Sequence, residues 1–290
     1  MRILILIATL ALFLHAQKIL ILNSNNQIKK YQETIDAFQK EFEQPFEVYD
    51  ISDKSSETIK EYLYSEYPDI VYTVGVKAYQ YANKYLSEKD IYFSNIVNWK
   101  RLPITSRTFG VSNELHSNMQ LTLIKSIFSD IKNIGMIYSD YTKDIFEESQ
   151  VTAATLGINI IGHKVDKDTV HNKEYQKLFK NIDALMLISD PILLNDEKRV
   201  IELFQTSQLA QKPIFAYHEL FIKYGAILVI SVDNPTSGRQ IANMITTSSP
   251  LMDYIQYPAG TKIIFNKKQA IKNKIKFNPD SLFMINEVIE

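Results

Sequence analysis

Short apolar runs alternating with longer amphipathic stretches constrain this chain more than any other feature. Residues 18–23 form the first such run, and the stretch after it sets Ile28, Tyr31, Ile35, Phe38 and Phe42 on one helical face. The same two signals return through residues 46–51, 55–67, 69–74, 77–86 and 91–95. Ser55 or Ser56 can cap the helix at 55–67, and Pro68 stops it. Strands separated by helices of this length build βαβ units around a parallel sheet.

A loop at 103–107 and an extended segment at 108–111 interrupt the pattern, which then begins again. Strands are expected at 133–138, 158–165, 183–188, 213–216 and 226–232. Helices are expected at 115–128, 142–156, 173–180, 196–210, 218–223 and 236–246, with Gly157 and Gly225 as left-handed stops. Two such runs predict an α/β protein of two Rossmann-like lobes with parallel sheets. Residues 17–110 form the first lobe and 111–230 the second. Residues 231–290 supply a crossover helix and a tail that returns across the hinge. That tail contains a strand at 262–265, a short helix at 267–272 and a last helix at 279–289.

The first sixteen residues read differently. Met1 and Arg2 precede an uninterrupted apolar run from Ile3 to Leu14, and Ala16 offers a small residue before Gln17. A run this short fits a secretory signal cleaved near Ala16-Gln17 better than a membrane span. There is no cysteine. The fold is therefore expected to need no disulfide, thiol nucleophile, thiolate metal site or lipid-modified anchor. Export without an anchor points to a periplasm. A formal net charge of −1 gives no electrostatic footprint for nucleic acid.

Signatures of catalysis are missing. The chain has eight glycines and none of the glycine-rich phosphate loops or the G-x-S-x-G elbow. His116, His163, His171 and His218 are not spaced as metal ligands. No cofactor, metal or catalytic set is expected.

What remains is polar residues where strands end, the edge at which open parallel sheets bind ligands. Those residues are Asn23 and Ser24, Thr73 to Lys77, Ser94 and Asn95, Tyr138 to Thr142, Ser189 and Asp190, Tyr217 to Glu219, and Asp233 and Asn234. Gly75, at the start of a helix, suits a ligand carboxylate, and Asp190 or Asp233 suits an ammonium group. Tyr138, Tyr141 and Tyr217 would give the cleft an aromatic lining, and Trp99 is either a cleft wall or a loop anchor.

The order of several segments resembles the substrate-binding proteins of ABC transporters, in the branch that includes tryptophan- and tyrosine-binding proteins. The segments are residues 69–75 (DIVYTVG), 109–112 (FGVS), 134–138 (IGMIY), 154–157, 212–216 (KPIFA) and 232–240, followed by the tail from Ile264. The resemblance implies a type I periplasmic-binding-protein architecture that closes by hinge bending. Its implied contacts are Asn23, Thr73, Gly75, Ser94, Tyr138, Ser189 and Asp233. The chain departs from the pattern at Val76, where a hydroxyl residue is usual, and at Asn95-Ile96-Val97.

Residues and resemblance together give a monomeric periplasmic protein that captures a small, amino-acid-like, aromatic or other organic ligand for a membrane permease. Two alternatives share the scaffold. One signals to a membrane sensor or chemoreceptor; the other is an enzyme using Asp140, Asp190, His218 or Glu219. The leading reading expects Asp233→Ala to lower ligand affinity with little change in the melting temperature of the free protein. Titration calorimetry and thermal melts check both halves.

Overall fold

The computed structural model describes residues 17–167, 172–247 and 254–290. The expected signal segment and His171 lie outside them. Two sheets form. The first contains β1 (Ile19–Asn23), β2 (Phe46–Asp50), β3 (Ile70–Val74), β4 (Asp90–Ser94) and β5 (Thr108–Val111). The second contains β6 (Asn133–Tyr138), β7 (Asn159–Lys164), β8 (Ala184–Met186), β9 (Ile214–Ala216) and β10 (Leu228–Val232). The tail is shared. β11 (Ile255–Gln256) joins the first sheet, while β12 (Thr261–Asn266) and β13 (Glu287–Ile289) join the second.

The strand orders are β11-β5-β4-β3-β1-β2 and β13-β12-β10-β9-β8-β6-β7. Every pairing is parallel except β10 with β12. The second sheet is thus mainly rather than wholly parallel, because the tail enters it from the opposite end. β1 shows why the central strands are apolar throughout. Ile19 and Ile21 enter the core on one face, and Leu20 and Leu22 enter the core on the other.

Helices α1 (Lys29–Glu41), α2 (Ser56–Glu66) and α3 (Val76–Tyr85) cover the first sheet. Ser55, not Ser56, caps α2, its hydroxyl accepting from Thr58 N–H at 3.1 Å. Tyr67 closes α2 in the left-handed region, immediately before Pro68. Helices α4 (Ser117–Ile127), α5 (Lys143–Thr155), α6 (Asn172–Asn181) and α7 (Glu197–Leu209) cover the second sheet. Gly157 takes the expected left-handed conformation after α5. The expected helix at 218–223 is a 3-10 turn, Glu219–Tyr224.

The chain changes lobes three times: after β5, after β10 and after β11. Between the last two crossings, α8 (Asn234–Thr247) packs on the first lobe, where Ile241, Ala242, Met244 and Ile245 join the core around β1 and β3. The tail continues through the short helix α9 (Lys267–Lys272). Its last segment corrects the sequence reading. Residues 279–289 are a 3-10 turn, Pro279–Met284, followed by β13. Leu282, Ile285 and Ile289 mimic helical spacing. Val288 and Ile289 nevertheless reach opposite faces of the second sheet, which only a strand allows.

One glycine sets how closely α8 approaches α1. A Cβ on Gly238 would collide with the backbone carbonyl of Thr34 and lie 3.0 Å from Phe38 N. Backbone cannot move aside as a side-chain tip can. Gly238→Ala is therefore expected to destabilise the fold by about 1–3 kcal/mol, read as a lower urea midpoint. An unchanged midpoint would mean the helices part without cost.

Candidate ligand-binding cleft

The carboxyl ends of both sheets face a gap between the lobes. Its first chamber spans about 810 Å³ including its mouth. It is walled by Trp99, Lys100 and Arg101 from the turn after β4, by Asn113 to Leu115 from the first crossing, and by Tyr257 from the third. The second lobe adds Tyr141, Asp144 and Glu148, then Leu187 to Ser189, Tyr217, and Ile230 to Val232. A second chamber spans about 1050 Å³ on the same terms and is lined by Ile28 to Lys30, Glu33, His218, Glu219, Asp233 to Pro235 and Lys262. Asn113, Tyr217, Ser231 and Val232 line both chambers, so the two adjoin within the gap between the lobes.

One turn joins the lobes across it. Asn98 Nδ2 donates to Ser189 O at 2.9 Å, Lys100 pairs with Asp144, and the Arg101 guanidinium lies 4.1 Å from the centre of the Tyr141 ring. Lys100 and Asp144 are about half exposed, so their pair is worth under about 1 kcal/mol and biases the lobes rather than locking them.

Among the expected site residues, Ser189, Tyr217 and Asp233 line the cleft, as do Trp99, Tyr141, His218, Glu219 and Asn234; Asn23, Ser24, Thr73, Gly75, Ser94, Asn95, Tyr138 and Asp190 line neither chamber. The first-lobe set has turned inward. Thr73 Oγ1 donates to Tyr92 O at 2.9 Å, and Ser94 Oγ bonds Tyr72 Oη at 2.7 Å. Asn23 Oδ1 accepts from Asn25 N–H at 3.2 Å, and Asn95 Nδ2 donates to Asn234 Oδ1 at 3.0 Å. The start of α3, expected to hold a ligand carboxylate, is already filled. Ser24 Oγ accepts from Ala78 N–H at 2.9 Å, and a Cβ on Gly75 would meet Tyr31 Oη at 2.7 Å and Ser24 Oγ at 2.8 Å. Gly75 is needed there for a second reason, since its φ of +87° lies outside what side-chain-bearing residues readily adopt.

In the second lobe, Tyr138 stacks flat on Phe146, ring centres 4.0 Å apart. Asp190 is fully buried and saturated. Its Oδ2 accepts from Ser139 N–H (2.7 Å), Ser139 Oγ (2.6 Å) and Thr142 Oγ1 (2.5 Å), and its Oδ1 from Ile192 and Leu193 N–H (2.9 and 3.0 Å). A carboxylate so engaged ties β6 to the segment after β8 and has nothing left for a ligand ammonium. Asp140 pairs with Lys164 at 2.7 Å on the exposed surface. Asp233 does two jobs. It faces the second chamber and caps α8, accepting from Thr236 N–H at 3.0 Å and from the Thr236 hydroxyl. The expectation that Asp233→Ala leaves the free protein's melting temperature alone is corrected accordingly, because losing such a cap costs about 0.5–2 kcal/mol.

Glu114, which strand-end reasoning passed over, is the most perturbed acid of the first chamber. It sits half-buried on the first crossing and accepts the backbone N–H of Asn98. Burial lifts its carboxyl to about 7; the Asn98 N–H and Lys100 oppose the rise, and Asp144 adds to it. Burial pushes the Tyr217 phenol up to about 12, so it stays neutral. Burial pulls the Lys30 ammonium below the usual lysine value, with Glu219 opposing. His218 is lowered by burial and by Lys30, against Glu219. Its Nδ1 accepts from Leu220 N–H at 3.1 Å, leaving Nε2 as the donor.

The raised Glu114 carboxyl has a stability consequence. Between its usual 4.5 and about 7, the folded chain holds a proton that the unfolded chain releases. Its contribution to stability therefore falls as pH rises through that window. Glu114→Gln removes the effect. The variant's melting point is expected to exceed wild type at pH 8 and to converge with it near pH 4. Parallel melting curves at both pH values would contradict this assignment.

A family model described as ABC transporter substrate binding protein matches residues 52–288. No curated protein matches the chain. Among solved structures, an ABC domain in complex with L-Trp from Streptococcus pneumonia is similar at 17% identity and a TM-score of 0.64, covering 94% of this chain and 99% of the other. A ligand-free, open substrate binding protein with adhesive properties from Clostridium difficile shares 14% identity at a TM-score of 0.72, with the same coverage. A conserved domain protein from Vibrio cholerae shares 16% at 0.63, again over 94% and 99%. At these identities the likeness is one of fold, and it extends over both lobes. The family match spans most of both lobes and the tail, and the chain belongs to the ABC transporter substrate-binding protein family.

Proposed function

We propose that this substrate-binding component works in a periplasm, capturing a small amino-acid-like organic molecule by hinge closure and presenting it to a membrane permease. The observation that carries this reading is the cleft itself, which draws walls from both lobes and from all three crossings. A molecule touching both walls favours the closed form over the open one, and that difference drives the shift. Trp99, Tyr141, Tyr217 and Tyr257 supply aromatic faces, and Glu114, Lys100 and Lys30 supply charge. The L-Trp bound by the Streptococcus relative is of the same chemical kind. The apolar run from Ile3 to Leu14 supports export, and no described helix is long and apolar enough to cross a membrane. The family binds and delivers rather than catalyses, which removes the enzyme alternative.

A thermal-shift screen tests the reading. Ligand at a hundredfold excess over Kd stabilises the native state by about 2.7 kcal/mol, so an amino-acid-like compound is expected to raise the melting temperature visibly. A screen of amino acids, their amides and short peptides in which nothing moves the transition would end the proposal.

A further inference from the structure

The cleft is electrically two-ended. At one end Glu114 faces the first chamber. Of the cations that line this chamber, Lys100 is bonded to Asp144 and Arg101 is stacked on Tyr141. At the other end Lys30 faces the second chamber and forms no ion pair among the described residues. Its ammonium lies 5.6 Å from the Tyr31 ring centre. The acids around Lys30 are engaged elsewhere: Glu219 with Lys262 at 3.4 Å, Glu33 with Lys29 at 3.4 Å, and Asp233 with the start of α8. Among the described residues, the half-buried Glu114 carboxyl and the half-buried Lys30 ammonium each lack an ion pair of their own, and they face adjoining chambers of one gap. Each is pushed by burial toward its neutral form. Leaving such groups unpaired costs free energy that a ligand of matching charge recovers.

Resting on the capture function above, we infer that the ligand is an elongated dipolar molecule whose amine seats against Glu114 and whose carboxylate seats against Lys30 and His218 Nε2. Neither group is among the charges that act on the other, so the two stand apart, and an α-amino acid, with both charges on one carbon, is expected to engage one of them only. An ω-amino acid or a short peptide, with its charges separated by several atoms, can engage both. The layout of the gap agrees, because the two chambers adjoin at Asn113 and Tyr217, which line both. Tyr217, uncharged and shared by both chambers, faces the middle of such a molecule.

The test is titration calorimetry on the purified chain with 6-aminohexanoate and alanylphenylalanine as dipolar probes, and norleucine and phenylalanine as single-carbon controls. At least one dipolar probe is expected to bind about tenfold or more tightly than its control. Lys30→Met and Glu114→Gln are each expected to lose about tenfold or more of that affinity, while thermal melts confirm that both variants fold. Affinity of the dipolar probe should also rise from pH 6 to pH 8 as Glu114 ionises beside Lys100, Asp144, Glu148 and Tyr257; in Glu114→Gln that rise should vanish. Which probe binds separates an ω-amino acid from a peptide. Controls that bind as tightly as the dipolar probes, or variants that bind as wild type does, would overturn the inference while leaving capture intact. Failure of every compound, here and in the thermal screen, would overturn both.

Discussion

The backbone contact between α1 and α8 at Gly238 is the constraint on which the two-lobed arrangement rests. α8 follows directly from β10, a strand of the second sheet, yet its apolar face is buried in the first lobe. Without a close fit there, the chain after β10 would have no reason to leave its own lobe. With it, three segments cross between the lobes rather than one. Three crossings limit how far one lobe can slide or twist against the other. Cores on both faces of each sheet give each lobe a packed interior of its own.

Polar residues at strand ends divide between two tasks, and the division follows from burial. A hydroxyl or amide at the edge of a parallel sheet is surrounded by neighbouring strand ends that also need partners. Thr73, Ser94, Asn95 and Asp190 satisfy those needs inside the protein. They give the lobes shape rather than offering contacts. The cleft is lined instead largely by segments that have left the sheets, at residues 98–101, 113–117 and 257, where side chains are free to face the gap.

This explains what could be read from the sequence. Periodicity located nearly all strands and helices, because central strands buried on both faces leave continuous apolar runs and surface helices leave a 3.6-residue stripe. It failed at residues 279–289, where Leu282, Ile285 and Ile289 coincide with helical spacing, although β13 pairs with β12. Tyr217 and Asp233 were legible as cleft residues because they follow apolar strands directly. Glu114 was not. Nothing local marks a glutamate on a connecting segment as buried, and only the closeness of the turn at Asn98 buries it. The extra signal was its position, three residues beyond the extended segment at 108–111, where the expected lobe boundary falls. Gly75 was correctly tied to the start of α3, but Tyr31, on α1, fills the space a ligand would have used.

The unpaired charges of the cleft also bear on why the lobes do not simply collapse on each other. Glu114 and Lys30 would stabilise a closed empty form if they could meet, but they sit in different chambers, and each answers to other charges: Lys100 and Asp144 for the acid, Glu219 for the base. Closure without ligand therefore buries two opposite charges without joining them, and burial opposes the ionised form of each. The inter-lobe contacts at Asn98, Lys100 and Arg101 are few and at least partly exposed, so each adds little to hold the lobes together. A binding protein needs this balance. An empty form that closed on its own would compete with the loaded one for the same transporter. On the capture and two-ended recognition proposed above, charges held apart would oppose closure of the empty cleft until a molecule arrives that satisfies both.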